Sequence, residues 1–363
     1  MIMKKVLASL FGLLLLTAGC ASPERFYVGG AEGIYRVSSD SCKELAAREG
    51  NVSALAVSGR NLYAARTAGK GAFEVVLYDV GKEGSLERKG AFPVPGRFGY
   101  CYLALSADGK FLYGSSYSGA FIDVIALNAD GSIEKLRNRL VCEGASVHKR
   151  QKKSHPHFCA PLPGTELALA ADLGSDLIRI FRRDAEKGLI PAGTVPLPPG
   201  SGPRHLCFAP EHGLVFAVNE LNNTVCSFKV RENTLVPVAV CGLLPKDWSG
   251  VSYAGAIRIS PEGRIFATNR GHDSIAVVSF DAEGRMKLEA CFSAGGAYPS
   301  DLVFDRRGGM FLCEMKGDRV SCWTKKGDGY ERTSAFPVRR AGSIVSAPYL
   351  SEAAFFSSSS QRA

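Results

Sequence analysis

A seven-bladed β-propeller with four antiparallel strands per blade is the fold this sequence predicts, and three observations carry it. From residue 26 onward, short β-rich runs alternate with Gly, Asp, Asn and Pro turns, and no stretch holds a 3.6-residue apolar period over three turns. A unit recurs along the chain: a turn of the Asp-Gly kind, an apolar strand centred on Tyr or Phe, a polar turn, then a second strand ending in an aromatic. The centres of the apolar strand, Tyr27, Tyr63, Tyr113, Ala168, Phe216, Phe266 and Phe311, are seven, 36 to 55 residues apart. Periods of about 40 to 50 residues with four strands each mark a propeller, whose radial closure protects edges that an open sheet would expose. Ankyrin or tetratricopeptide arrays would demand the missing helical period.

The repeat is plainest in three places. Asp108-Gly-Lys-Phe-Leu-Tyr113 leads to Phe121-Ile-Asp-Val-Ile-Ala126, His212-Gly-Leu-Val-Phe216 to Thr224-Val-Cys-Ser-Phe228, and Glu262-Gly-Arg-Ile-Phe266 to Ser274-Ile-Ala-Val-Val-Ser-Phe280. The propeller is expected over residues 26–350, with strand material near Ser343 to Leu350 closing the ring on the first, incomplete blade. The tail, 351–363, reads as a solvated end.

Before the propeller lies an export signal over residues 1–19, with Lys4 and Lys5 as its basic region, an apolar stretch from Val6 to Leu16, and small residues before Cys20. That stretch is short of the roughly 20 residues a bilayer span takes. Thr17-Ala18-Gly19-Cys20 resembles a bacterial lipoprotein signal, in which the cysteine is acylated and becomes the first mature residue; Thr17 stands where that signal usually carries Leu. Lipidation at Cys20, a tether over 20–25 and a place in the cell envelope follow, with plain secretory cleavage and an uncleaved anchor as alternatives. Lipidation leaves ten of the 11 cysteines. Most of them, such as Cys207, Cys226 and Cys313, sit in apolar runs where cysteine serves as a small buried hydrophobe.

The 363 residues are 46% hydrophobic and 22% charged, which excludes a disordered, collagen-like or disulfide-miniprotein chain. The formal charge of +9 points to an anionic partner. No C-x-x-C, G-x-S-x-G elbow, H-E-x-x-H, P-loop or Rossmann fingerprint occurs. Nothing interleaves the basic run His148-Lys-Arg-Gln-Lys-Lys153 with aromatics as a nucleic-acid platform would, so it reads as a solvated loop or a feature that draws anions to the mouth.

In a propeller blade the start of the innermost strand and the end of the second lie on one face, beside the central channel. The first set carries His155-Pro-His157, Pro203-Arg204-His205, Ala256-Ile-Arg258 and Tyr298-Pro-Ser-Asp301. The second, four residues past each strand centre, carries Asp172, Glu220, Arg270 and Met315, with Asn219 and Asn269 just before two of them. His155, His157 and Cys159 alternate along one strand and invite a metal reading, but no fourth ligand follows at a diagnostic spacing. A hydrogen-bonding or proton-transfer histidine pair is the alternative. Arg204, fixed after the tight Pro198-Pro-Gly-Ser-Gly-Pro203 turn, suits bidentate anion recognition, and Glu220 and Arg270 are placed to pair across a blade interface. Arg270 and His272 of Asn269-Arg-Gly-His-Asp-Ser274 are both expected near the mouth.

His155-Pro-His157, Asp172-Leu-Gly-Ser-Asp176, Pro199-Gly-Ser-Gly-Pro-Arg-His205, Asn219-Glu220 and Asn269-Arg-Gly-His-Asp-Ser274, in this order and spacing, resemble the lactonase family of seven-bladed propellers. That family includes propeller-type 6-phosphogluconolactonases and fungal carboxy-muconate lactonizing enzymes. The resemblance covers about residues 26 to 350. It implies a catalytic set on His155 or His157, Arg204, Glu220 and Arg270, with His205, Asn219, Asn269, His272 and Asp172 around the substrate, and needs neither cofactor nor metal. The implied chemistry is hydrolysis of a sugar-acid lactone, with a lactonizing isomerase and a non-catalytic envelope scaffold as alternatives. The expected partners are a small anionic lactone and, through Cys20 alone, a membrane; no nucleic acid is expected, and the chain is expected as a monomer. The sequence departs from relatives in the last blade, where the usual Pro-Arg-Asp is Pro299-Ser300-Asp301, and in the unusual Gly99-Tyr-Cys-Tyr102 segment.

Overall fold

A computed structural model of the protein describes residues 24–38, 43–327 and 329–347; the leader, Cys20 and the 351–363 tail lie outside the described residues. The described chain forms seven four-stranded antiparallel sheets, with three short 3-10 turns and no α-helix among the described residues. Six sheets are built from four consecutive strands. The first takes its innermost strand, Ser343–Ser346, from the far end of the chain, pairing it with Arg25–Gly29 from Phe26–Ser346 to Gly29–Ser343. The innermost strands neighbour one another in a closed ring, so this is the expected seven-bladed propeller.

The core lies between blades. Each inner strand is buried on both faces, which is why Leu167–Asp172 reads Leu-Ala-Leu-Ala-Ala-Asp without polar alternation. Leu169 and Ala171 pack towards Val215, Ala217 and Phe228 of the fifth blade, whereas Ala168 and Ala170 pack towards Tyr113, Ile122 and Val124 of the third. The ring closes on Phe26 against Phe311, centroids 4.3 Å apart, between the first blade and the seventh. Burying one such side chain contributes roughly 1.5–3 kcal/mol, and the contributions run continuously around the disc.

Register corrects one expectation. Asp172 sits five residues before its partner Leu177 across the second turn, as Asn219 does before Thr224 and Asn269 before Ser274. The equivalent of Phe216 and Phe266 in the fourth blade is therefore Leu169, not Ala168. A one-residue slip turns a side chain to the other face. Asp172 thus aligns with Asn219 and Asn269, and the place of Glu220 and Arg270 is filled in the fourth blade by buried Leu173.

The innermost strands share a second feature. In five blades the register shifts at their start, leaving Ser53, His157, Arg204 and Ser300 each as an unpaired extra residue, and two residues, Gly255 and Ala256, in the sixth blade. Cys101, just before Tyr102–Leu105, takes the same place in the third. Such bulges re-aim side chains, and here they turn one residue per blade towards the axis.

Asp301 ties the closing strand down. Its Oδ1 accepts from Arg258 Nη2 at 2.6 Å and from the Leu302 N–H, and its Oδ2 accepts from the Ile344 N–H at 3.2 Å. Asp301→Ala strands the Arg258 guanidinium and frees the closing strand; losing one partner of such a buried pair costs about 3 kcal/mol. Urea denaturation should show that loss, and an unchanged midpoint would refute the latch.

Candidate functional site

The bulged ring encloses a cavity of about 440 Å³ on the propeller axis. His157, Arg204, His205, Arg258, Arg270 and Arg340 line it, and Asp301 is the one carboxylate in its lining among the described residues. Cys101, Tyr102, Ser300 and Met315 are also among its lining residues.

Behind the arginines stands Glu220, which follows the second strand of the fifth blade and is 3% exposed. Its Oε2 lies 2.7 Å from Arg270 Nη2 and 3.1 Å from Arg204 Nε, and its Oε1 accepts from Arg150 Nη1 at 2.6 Å. Burial alone would raise the Glu220 carboxyl, but Arg270, Arg204 and Arg150 outweigh it and hold the group down at about 2. Arg204 is depressed to about 10, by burial and then by the like charge of Arg270, and stays protonated at neutral pH. The Arg204 Nε–H is not aligned on the carboxylate and finds no hydrogen-bond partner, so that contact is coulombic. Arg204 Nη1 instead donates to the Gly255 carbonyl at 2.9 Å. Arg270 donates to the carbonyls of Tyr253 and Ala254. Gly255 permits this crossing: a Cβ there would lie 2.4 Å from Thr268 Oγ1 and 3.3 Å from Arg270 Nε.

Two histidines face the guanidinium groups. His157 and His205 meet edge to face at 5.2 Å, with Tyr102 5.3 Å from the His205 ring. Burial first, then Arg204, drives both well below the ordinary histidine value, so both are uncharged at neutral pH. His157 Nδ1 is buried without a partner. His155 lies outside the cavity lining, stacked at 4.2 Å on Tyr117, with its Nδ1 2.8 Å from the Tyr117 carbonyl oxygen. Cys159 turns away from His157 into the apolar interface with Tyr113 and Cys142, because the bulge at His157 breaks strand alternation. Among the described residues no three His, Cys, Asp or Glu side chains converge as metal ligands.

The remaining expected residues are spent on structure. Asp172 is fully buried and accepts from Ser154 Oγ, the N–H groups of His155 and Gly174, and Arg179 Nε. Asn219 donates to Thr224 Oγ1 and Asn269 to the Leu243 carbonyl and Ser274 Oγ, both facing the neighbouring strand, as their shared register position requires. His272 is 2.6 Å from Ser274 Oγ and packs on Trp248 at 4.5 Å, away from the cavity.

Arg150 is the member of the Glu220 cluster that sequence reasoning missed. Its basic loop is folded onto the site, where Arg150 also donates to Tyr117 Oη, and Gln151 is fully buried against Leu173 and Asp176. Asp176 is the hub: its carboxylate accepts from Ser146 Oγ, Gln151 Nε2 and the N–H groups of Gly200 and Gly202, joining that loop to the turn before Arg204. Gln151 between basic residues was the available signal, an uncharged break in a run read as a solvated loop or a feature that draws anions to the mouth.

Fold and site define a propeller with a basic, acid-poor axial cavity, suited to a small anionic molecule. A family model described as Lactonase, 7-bladed beta-propeller matches residues 19–324, and the chain belongs to that family. It is 29% identical over 337 residues to a 6-phosphogluconolactonase of Bacillus subtilis, covering 88% of this chain and 93% of the relative. It is 25% identical over 257 residues to a 6-phosphogluconolactonase of Yersinia pestis, covering 69% and 73%. The fold is similar to that of the periplasmic gluconolactonase of Pseudomonas aeruginosa, with a TM-score of 0.83 at 24% identity over 91% of this chain and all of that one.

The buried histidines set an acid limit on stability. They are neutral in the folded state, whereas in the unfolded chain they take up protons near 6.5, so stability falls as pH drops through and below that value. The slope is up to about 1.4 kcal/mol per histidine per pH unit. Urea unfolding at pH 7.5 and 5.5 should show it, with a smaller loss in the His157→Gln, His205→Gln double variant; equal losses would refute the assignment.

Proposed function

We propose that the protein hydrolyses a sugar-acid lactone, with Arg204 and Arg270 stabilising the oxyanion and a neutral histidine, His157, activating water. The observation that carries this is the triple pairing of Glu220. A carboxylate held near 2 by three guanidinium groups is a poor proton acceptor, so Glu220 aligns the arginines and the base falls to the histidine beside them. His157 lines the same cavity as Arg204 and Arg270, and its Nδ1 has no hydrogen-bond partner. Water adds to the lactone carbonyl as its proton passes to His157. The tetrahedral oxyanion forms against the Arg204 and Arg270 donors, and collapse breaks the ring C–O bond, with the proton returned to the leaving alkoxide.

Membership of the lactonase family and relatives named 6-phosphogluconolactonase support hydrolysis over the lactonizing and scaffold alternatives. Acylation of Cys20 and an envelope location belong to the same proposal, and would direct the enzyme to lactones outside the cytoplasm. Metabolic labelling with a tritiated fatty acid tests it: label should enter the full chain and vanish in Cys20→Ser.

A pH-stat assay against 6-phosphogluconolactone, glucono-1,5-lactone and muconolactones tests the chemistry. Arg204→Ala should lower kcat/KM by roughly 10² to 10³ with the fold retained, the scale of losing one oxyanion donor. The acid limb of kcat/KM should lie below 6.5, the side to which burial moves His157, and disappear in His157→Gln with the residual rate. No acid release from the folded protein, or full activity in Arg204→Ala, would end this reading.

A further inference from the structure

We propose that the protein rests on the bilayer with the face opposite the mouth, so that its axial cavity opens away from the membrane that anchors it. The inference rests on the acylation of Cys20 proposed above and adds the orientation that the fold imposes on it. Surface chemistry alone points the other way. On the mouth face, the segments that return from outer to inner strands expose Phe98, Val147, Trp248 and Val251, and the loop that carries Val147 also exposes Lys149 and Lys152. Exposed apolar side chains among cations are what an anionic lipid surface attracts. The tether decides against that face.

The chain enters the propeller from the far side. Arg25–Gly29 is the second strand of the first blade, and second strands run towards the mouth, as Leu214–Asn219 does before Glu220 and Ile265–Arg270 does in delivering Arg270. Gly29 accordingly pairs with Ser343, which lines the cavity, and Phe26 with Ser346 at the other end. The entry point is pinned as well as placed. The Glu24 carboxylate accepts the Arg306 N–H at 2.9 Å, and Arg306 lies in the turn that joins Pro299–Phe304 to Met310–Glu314 on the far face. Beside it, the Ala347 N–H donates to the Arg25 carbonyl at 2.8 Å. Only residues 21–23 separate Glu24 from Cys20, and the steps from 20 to 24 reach at most about 14 Å when fully extended. An innermost strand such as Val52–Ser58, with 7 residues rising about 3.3 Å each, sets the two faces about 20 Å apart before turns are counted. An acylated Cys20 therefore holds the far face at the bilayer and leaves the mouth out of its reach. A lactone then enters the cavity from the aqueous side and not from the lipid.

Fluorescence quenching on vesicles tests this. The full acylated chain, carrying a fluorophore at Arg307→Cys on the far face or at Lys152→Cys beside the mouth, is placed in phosphatidylethanolamine and phosphatidylglycerol vesicles with a headgroup quencher, and the signal of the unsubstituted chain is subtracted. Position 307 should be quenched severalfold more than position 152. A flexible glycine-serine linker of about 20 residues inserted after Pro23 should erase that difference, because its reach exceeds the depth of the disc. The same two positions are read on a chain whose residues 1–20 are replaced by a polyhistidine segment held on nickel-chelating lipid, where 307 should again be the quenched one. Absence of fatty-acid label at Cys20 would end the acylation reading, and the chelated chain would still decide the orientation. Equal quenching at the two positions, stronger quenching at 152, or a difference that survives the linker would overturn the proposal.

Discussion

One carboxylate organises this site. Glu220 receives Arg270 and Arg204 on one oxygen and Arg150 on the other, in a setting almost wholly removed from water. Three guanidinium groups converging without it would repel one another at low dielectric, where coulombic terms are several times stronger than in water. With it, the cluster keeps a net positive charge whose directions are set by the protein. That is the condition for electrostatic stabilisation of an oxyanion, because the donors need no reorganisation as charge develops.

The residues that meet at Glu220 arrive by different routes. Arg204 arrives through a bulge at the start of an innermost strand, Arg270 at the end of a second strand in the next blade, and Arg150 from a loop tied down by Gln151 and Asp176. The bulges are the common device. They give each of several blades one side chain aimed at the axis without altering the ladders that build the interblade core, so blades of similar backbone deliver serine, cysteine, histidine, arginine or glycine to one ring. Gly255 shows the packing side of this arrangement: the absence of a side chain in the sixth blade makes room for the arginines of the fifth and sixth to cross.

The architecture was legible because it rests on local chemistry repeated seven times. Turn residues and doubly buried apolar strands carry the same pattern in each blade, and closure follows because the first blade lacks an inner strand that the residues near Ser343 supply. The convergence of His157, Arg204, His205 and Arg270 on one mouth was legible for the same reason, since strand direction alone assigns the ends of strands to a face. Asp172 was misplaced by a single register position, which inspection of apolar runs does not resolve when every residue of the run is buried. A strand buried on both faces, such as Leu167–Asp172, loses the polar alternation that would otherwise mark its phase.

By itself the sequence determined the repeat, the number of blades, the strand termini that face the channel and the basic character of the chain, all of which depend on residues close together along it. Tertiary structure alone decided that Arg150 reaches a glutamate seventy positions away, and that three guanidinium groups meet on Glu220 and hold its carboxyl down. Those outcomes depend on which charges are brought together and how deeply they are buried, and both are properties of blades meeting around an axis, which no local pattern encodes.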